Sequence, residues 1–231
     1  MSLGLALGHG RAGFGRSRVA AGWLWVVPAL LGGTVTALVM LVLPPDRTLH
    51  GVGDFLLKVS PLVCAVATIA VFPRRPVWTV VLPVVSFVVY LGYIDSAFFI
   101  QVDRLVQAAQ VHAEQAQFSA YYRFSIFANA FVVLSGLFAF RMGGGTSAQV
   151  VKLGCAGILV LLSGLNDLTM WAMYDWPGGL RPDAFDWASH VSIFLGREPH
   201  LADMLAFAAV HLVLIIAVLR LPVERWIPDR S

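Results

Sequence analysis

The sequence predicts an all-α, polytopic membrane bundle of six transmembrane helices with both termini cytoplasmic, and three observations predict it. First, hydrophobic residues make up 58% of the chain and charged residues only 13%, with a mean hydropathy of +0.79. A soluble domain carries about 25% charged residues, so this composition belongs in lipid. Second, the apolar residues gather into runs near the ~20 residues that a helix needs to cross the hydrocarbon. Third, arginine and lysine recur at alternate run boundaries, as the positive-inside rule requires. No segments of about ten residues alternate in polarity, which argues against a β-barrel.

Taken in order, residues 1–19 (MSLGLALGHGRAGFGRSRV) are Gly-rich and basic and read as a disordered tail. The apolar run after them is too long for a signal peptide and lacks a small-residue cleavage site, so it reads as an uncleaved span. Spans are expected over 20–43, 53–72, 77–100, 122–141, 149–174 and 201–221, within a membrane domain of residues 20–222. A cytoplasmic tail, 223–231, follows. Residues 101–121 (QVDRLVQAAQVHAEQAQFSAY) are polar and predict a surface helix extending the third or fourth span. Residues 175–200 (DWPGGLRPDAFDWASHVSIFLGREPH) open on a Pro-Gly-Gly turn. They continue into an amphipathic stretch, Phe185, Trp187, Val191 and Phe194, suited to the membrane interface.

The charges divide unevenly between the two faces. Ten of the sixteen Lys and Arg residues fall on the side of the N-terminus, and Arg74, Arg75, Arg141 and Arg220 are among them. Eleven of the thirteen Asp and Glu residues and five of the six histidines fall on the other side. Acids hardly influence topology, so this bias instead marks a polar, proton- or metal-competent region that opens outward. Cys64 and Cys155 lie in apolar runs without a CxxC motif, and read as small buried hydrophobes. The net charge of +3 reflects span-flanking arginines and does not point to nucleic acid. The partners expected are the lipid bilayer and other membrane subunits.

The chemistry concentrates in GLNDLTMWAMYDW, residues 164–176, at the end of the fifth span. Asp167, Trp171 and Tyr174 lie at i, i+4 and i+7 and share one face of a helix, with Asn166 beside them. An ionisable group inside a span faces the bundle interior and has a partner, or it would be too costly to keep. Asp95, in VVYLGYIDSAFF, is the second such carboxylate. Lys58, Arg123 and Asn129 are the partners expected for the two. Asp167 and Asp95 are therefore the catalytic candidates, as proton acceptor or general acid, and Trp171 and Tyr174 the walls of a binding pocket. His200 and Asp203 at i and i+3 open the last span. With Asn166 they form the candidate metal ligands, and His190 or His211 is an additional candidate. Asp186 and His190 stand at i and i+4, a spacing that reaches one ion if helical. Imidazole and carboxylate without thiolate suit copper, iron or zinc. The bland reading of the same residues is helix-to-helix hydrogen bonding, with Trp and Tyr marking the interface.

Tyr90 and Gly92 end the third span, Gly136-Leu137-Phe138-Ala139-Phe140 end the fourth, and Gly164-Leu165-Asn166-Asp167 is followed by a Trp and later by His200. In these features the third to sixth spans resemble the C subunit of the copper membrane monooxygenases, the particulate methane and ammonia monooxygenase family. The resemblance implies six spans with metal sites towards the extracytoplasmic side, and Asn166 and His200 as two residues of one site. The chain departs from that pattern where the family's intervening histidine falls at Met170. The Asp/His/His ligand set of the family's fourth span also has no counterpart in QFSAYYRFSIFANAF. The sequence thus points to a multi-pass cell-membrane protein with an outward Asp/His/Asn site suited to metal, an oxidoreductase or a subunit of one. The alternative is a non-catalytic accessory subunit, or a proton-coupled carrier, whose intramembrane Asp residues hold helices together.

Overall fold

A computed structural model of the chain describes residues 23–44, 46, 48–110 and 114–227. The tail expected at 1–19, the start of the first span, His112 and residues 228–231 lie outside the described residues. The described chain is helical: α1 (Val26–Ala37), α2 (Val52–Val71), α3 (Pro76–Val89), α4 (Asp95–Gln110), α5 (Glu114–Met142), α6 (Ser147–Leu162), α7 (Leu165–Met173), α8 (Ser189–Leu195) and α9 (Leu201–Arg220). Among the described residues, four helices are long and apolar enough to cross a membrane: Val52–Val71, Pro76–Gln110, Gln117–Met142 and Leu201–Arg220. The bent pair α6–α7 makes a fifth if it counts as one span. A 20-residue helix such as α2 is about 30 Å long, the thickness of the hydrocarbon. The protein is a multi-pass membrane protein. The first expected span is described only as the shorter apolar helix Val26–Val42.

Local chemistry sets the helix ends. Pro76 opens α3 at a position whose N–H needs no helical partner. Thr146 and Gln149 close a reciprocal box over the start of α6: the Gln149 N–H donates to the Thr146 hydroxyl (3.2 Å), and the Thr146 N–H to Gln149 Oε1 (2.9 Å). The carbonyls that end the first helix accept from Arg123 of α5, at 3.1 Å for Val39 and 2.7 Å for Leu43. A cation there also meets the negative end of the helix dipole. Buried Arg141 does the same work at the opposite end of the bundle, donating to the Gly145 and Phe72 carbonyls.

Small residues let the helices approach. A Cβ on Gly32 would stand 2.7 Å from Cys64 Cβ, and one on Gly154 would stand 2.4 Å from Val66 Cγ1, so α1–α2 and α2–α6 touch almost backbone to backbone. Ile69, Ala70 and Val150 centre the packing of α2, α5 and α6, and Ile94, Phe124 and Ala128 that of α3, α4 and α5. Residues 101–110 and 114–121 extend the two neighbouring spans, as the end of α4 and the start of α5.

Asp95 does not face the interior. It is exposed at the first turn of α4, while Ile94 takes the buried position. A π-helical turn, Tyr90–Ile94, precedes it and takes up one extra residue, so Ile94 instead of Tyr93 continues the inward row of Trp78, Leu82, Ser86 and Val89, and Asp95 falls about 100° round the helix from it. Lys58 is not its partner, since it donates to Asp54 Oδ2 (2.9 Å) and to the Thr48 carbonyl (3.0 Å).

Candidate functional site

The fifth span breaks where the polar residues begin. After α6 the chain passes through Ser163 and Gly164 and restarts as α7, bent by 43°. Gly164 adopts φ +72°, left-handed backbone that other residues enter only at a cost. A Cβ there would also stand 2.8 Å from the Met204 methyl. The bend turns Asp167 inward, where only 8% of its surface is exposed, and leaves Asn166 on the exposed side.

The segment after α7 folds back over that carboxylate. The Trp171 indole donates to the Pro182 carbonyl and the Trp176 indole to the Trp171 carbonyl, both at 3.0 Å. Arg181 donates to the Ala172 carbonyl and lies over the Trp171 ring. A bridge between Ala184 and His200 ties the returning chain to the start of α9. Phe185, Ala188, Val191 and Met204 then close a core with no exposed surface. The expectation that Phe185 and Val191 lie in the membrane interface is therefore corrected: their apolar face meets protein instead of lipid.

This core seats His190 against α7. His190 Nε2 stands 3.8 Å from Asp167 Oδ2, and the Trp187 indole N–H lies near the same carboxylate without reaching hydrogen-bond geometry. All three polar atoms are buried and lack a hydrogen-bond partner among the described residues. Burial, with a smaller contribution from nearby His211, pushes the His190 imidazole down to about 4, so it is neutral at ordinary pH. Beyond it Phe207 packs against His211 with tilted rings, centroids 4.4 Å apart. His211 Nδ1 faces the Phe207 carbonyl at 2.9 Å. A carbonyl only accepts, so Nδ1 carries a proton. Beside the site, Ser189 and Ser192 of α8 line an open cleft of about 540 Å³ together with His50, Asp186 and Glu198.

The other expected site residues are placed differently. The Asp203 carboxylate accepts from the His200 N–H (2.9 Å) and takes both arms of Arg197 (2.7 and 2.8 Å), while His200 Nδ1 donates to the Asp183 carbonyl (3.0 Å). These bonds cap α9. Asp186 is exposed, and α8 begins only at Ser189, so Asp186 and His190 do not share a helical face. Tyr174 lies past the end of α7 with extended backbone, is 52% exposed and packs on Trp176, off the face that carries Asp167. Trp171 packs on Phe185. Among the described residues, no group of three or more His, Cys, Asp or Glu side chains could hold a metal ion.

Trp187 and Arg197 are the contributors that spacing alone does not reveal. The one local signal for the site is Gly164 standing three residues before an intramembrane aspartate. No protein-family model, curated protein or solved structure matches the chain.

Proposed function

We propose that this protein is a six-span membrane subunit, both termini cytoplasmic, whose outward end holds an Asp167–His190 acid–base site, and that it serves an oxidoreductase assembly by moving protons there. The observation that carries this reading is the convergence of three buried, unpartnered polar atoms, Asp167 Oδ2, His190 Nε2 and Trp187 Nε1. Each such atom costs about 1–3 kcal/mol if left unsatisfied, so the site is built to be filled. A separation of 3.8 Å is too long for a direct hydrogen bond and within reach of one bridging water or hydroxyl. When the carboxyl group holds a proton, the neutral imidazole can take it through that bridge, leaving a carboxylate and an imidazolium.

Residues 20–43 form the first span in this reading and the bent α6–α7 pair the fifth. Arg74, Arg75 and Arg141, at the opposite end of the bundle from Asp167, support a cytoplasmic location for that end. The Gly164–Asp167 run, which resembles the monooxygenase C subunit, falls at this site and supports an oxidoreductase context. The caps formed by His200 and Asp203 favour proton chemistry over a metal centre at Asn166, His200 and Asp203. Infrared difference spectroscopy of the full chain in bilayers across pH tests the proposal. A carboxyl band that titrates, disappears in Asp167→Asn and moves its midpoint in His190→Ala supports it. A band unchanged in both variants overturns it.

A further inference from the structure

A second feature of the molecule, independent of the Asp167 site, lies on the helix that runs from Pro76 to Gln110. Its 35 residues span about 52 Å, well beyond the ~30 Å of hydrocarbon, and only 6% of its most apolar window is buried. After the π turn, Asp95, Phe99, Val102, Val106 and Ala109 follow one another at intervals of four, three, four and three residues. That is the a/d seam of a heptad repeat, which runs along one side of a helix and seats a second helix. Every one of the five is exposed.

The bundle's own contact uses a neighbouring face. Phe98 packs on Tyr121, with ring centroids 5.6 Å apart, and Gln101 accepts from Gln117 of α5 at 3.1 Å. The seam is rotated from that face by one residue, about 100°.

Lipid accounts for only part of this surface. From Gln101 onward half of the residues to Gln110 are polar or charged, so this end of α4 stands outside the hydrocarbon. Val102 and Val106 are nevertheless 38% and 55% exposed there. At the membrane end of the seam, Asp95 has no ionic partner among the described residues. The nearest candidates by depth are committed elsewhere, Lys58 to Asp54 and Arg123 to the carbonyls of Val39 and Leu43. A second copy does not fit the seam. Copies in one membrane share an orientation, so a two-fold contact would set Asp95 against Asp95, and like charges in a seam repel.

We propose that the seam Asp95–Phe99–Val102–Val106–Ala109 docks a helix of a different membrane protein, one that continues past the membrane surface and carries a lysine or arginine level with Asp95. The apolar positions supply the packing, and the single carboxylate fixes register and partner, as one polar residue in an apolar seam does.

Photo-reactive residues placed at 99, 102 and 106 of the full chain, in the membranes of the cells that make it, test the proposal. A fourth at Val213, 65% exposed on α9, serves as a lipid-facing control. The expected result is cross-linking of the three seam positions to one segment of one other protein, advancing three or four residues at each step. That segment carries Lys or Arg within one turn of the point opposite residue 95, and position 213 does not capture it. Asp95→Lys lowers the yield about tenfold, and changing the partner's base to an acid restores it. If Asp95→Lys fails to fold, Val106→Glu, outside the hydrocarbon, replaces it with the same expected loss. Cross-links confined to lipid, to a second copy or to residues 1–22 of the same chain overturn the proposal. So does a partner segment without a base, or a yield that neither substitution changes.

Discussion

Gly164→Ala perturbs the site at the point where the backbone creates it. Two effects add. At φ +72° an L side chain costs about 1–2 kcal/mol, because its Cβ crowds the following carbonyl. The new Cβ would also stand 2.8 Å from the methyl of Met204, a fully buried side chain. Methionine is flexible, so the displacement lies near the low end of overpacking costs, about 1 kcal/mol. His190 Nε2 at 3.7 Å and Val191 Cγ2 at 3.8 Å are in ordinary contact and need not move. The sum is about 2–3 kcal/mol, or roughly 5–10 °C in melting temperature for a chain of this size. Gly157→Ala is the matched control: it lies within α6 with negative φ and nothing within 4 Å of the added Cβ. There alanine gains about 1 kcal/mol of helix propensity. Thermal unfolding of the two variants in one detergent is the assay. If Gly164→Ala melts at or above the wild type, the left-handed break does not shape the site and the reasoning fails.

Acidification should weaken the fold through His190. Its folded value, near 4, lies below the ordinary 6.5, so the unfolded chain binds the proton first and stability falls as pH drops through that window. The difference is worth about 3 kcal/mol, read as a melting-temperature loss that is smaller in His190→Gln. Gly154→Ala should cost about 1–3 kcal/mol by forcing α6 from Val66, and a melting curve unchanged from wild type would contradict the close α2–α6 contact. Asp203→Ala should lower the melting temperature more than Arg197→Ala, because only the former removes the acceptor that caps the His200 N–H; equal losses would reduce the cap to an ion pair. With Cys64 and Cys155 replaced, Gly143→Cys should label only from the cytoplasm and Leu180→Cys only from outside, and labelling of both from one side would refute the six-span topology.

The membrane class and most of the spans were legible because hydropathy and run length act through lipid, which every residue of a span meets in the same way. The burial of Asp167 was legible for a related reason: the cost of a charge in hydrocarbon does not depend on knowing its partner. The partner itself was not. His190 lies in a returning loop, and its position depends on Phe185 and Val191 packing around Met204. The apolar face of 185–194 reads the same whether lipid or protein covers it. The His200/Asp203 spacing suits a ligand pair and a helix cap equally, and Arg197 just upstream decides between them. The i, i+7 placement of Tyr174 assumed a helix that ends one residue earlier. The run before Asp95 is apolar on every side, so its periodicity did not show which face turns inward.

Asp167 and His190 form one buried site in which the imidazole is neutral. Nitrogen-15 NMR of histidine-labelled protein in bilayers, titrated from pH 7 to 4, tests it directly. His190 should stay neutral well below 6.5, the ordinary histidine value, and gain its proton near 4. Its Nε2 signal should shift in Asp167→Asn. A His190 that titrates near 6.5 and does not respond to Asp167→Asn would contradict it.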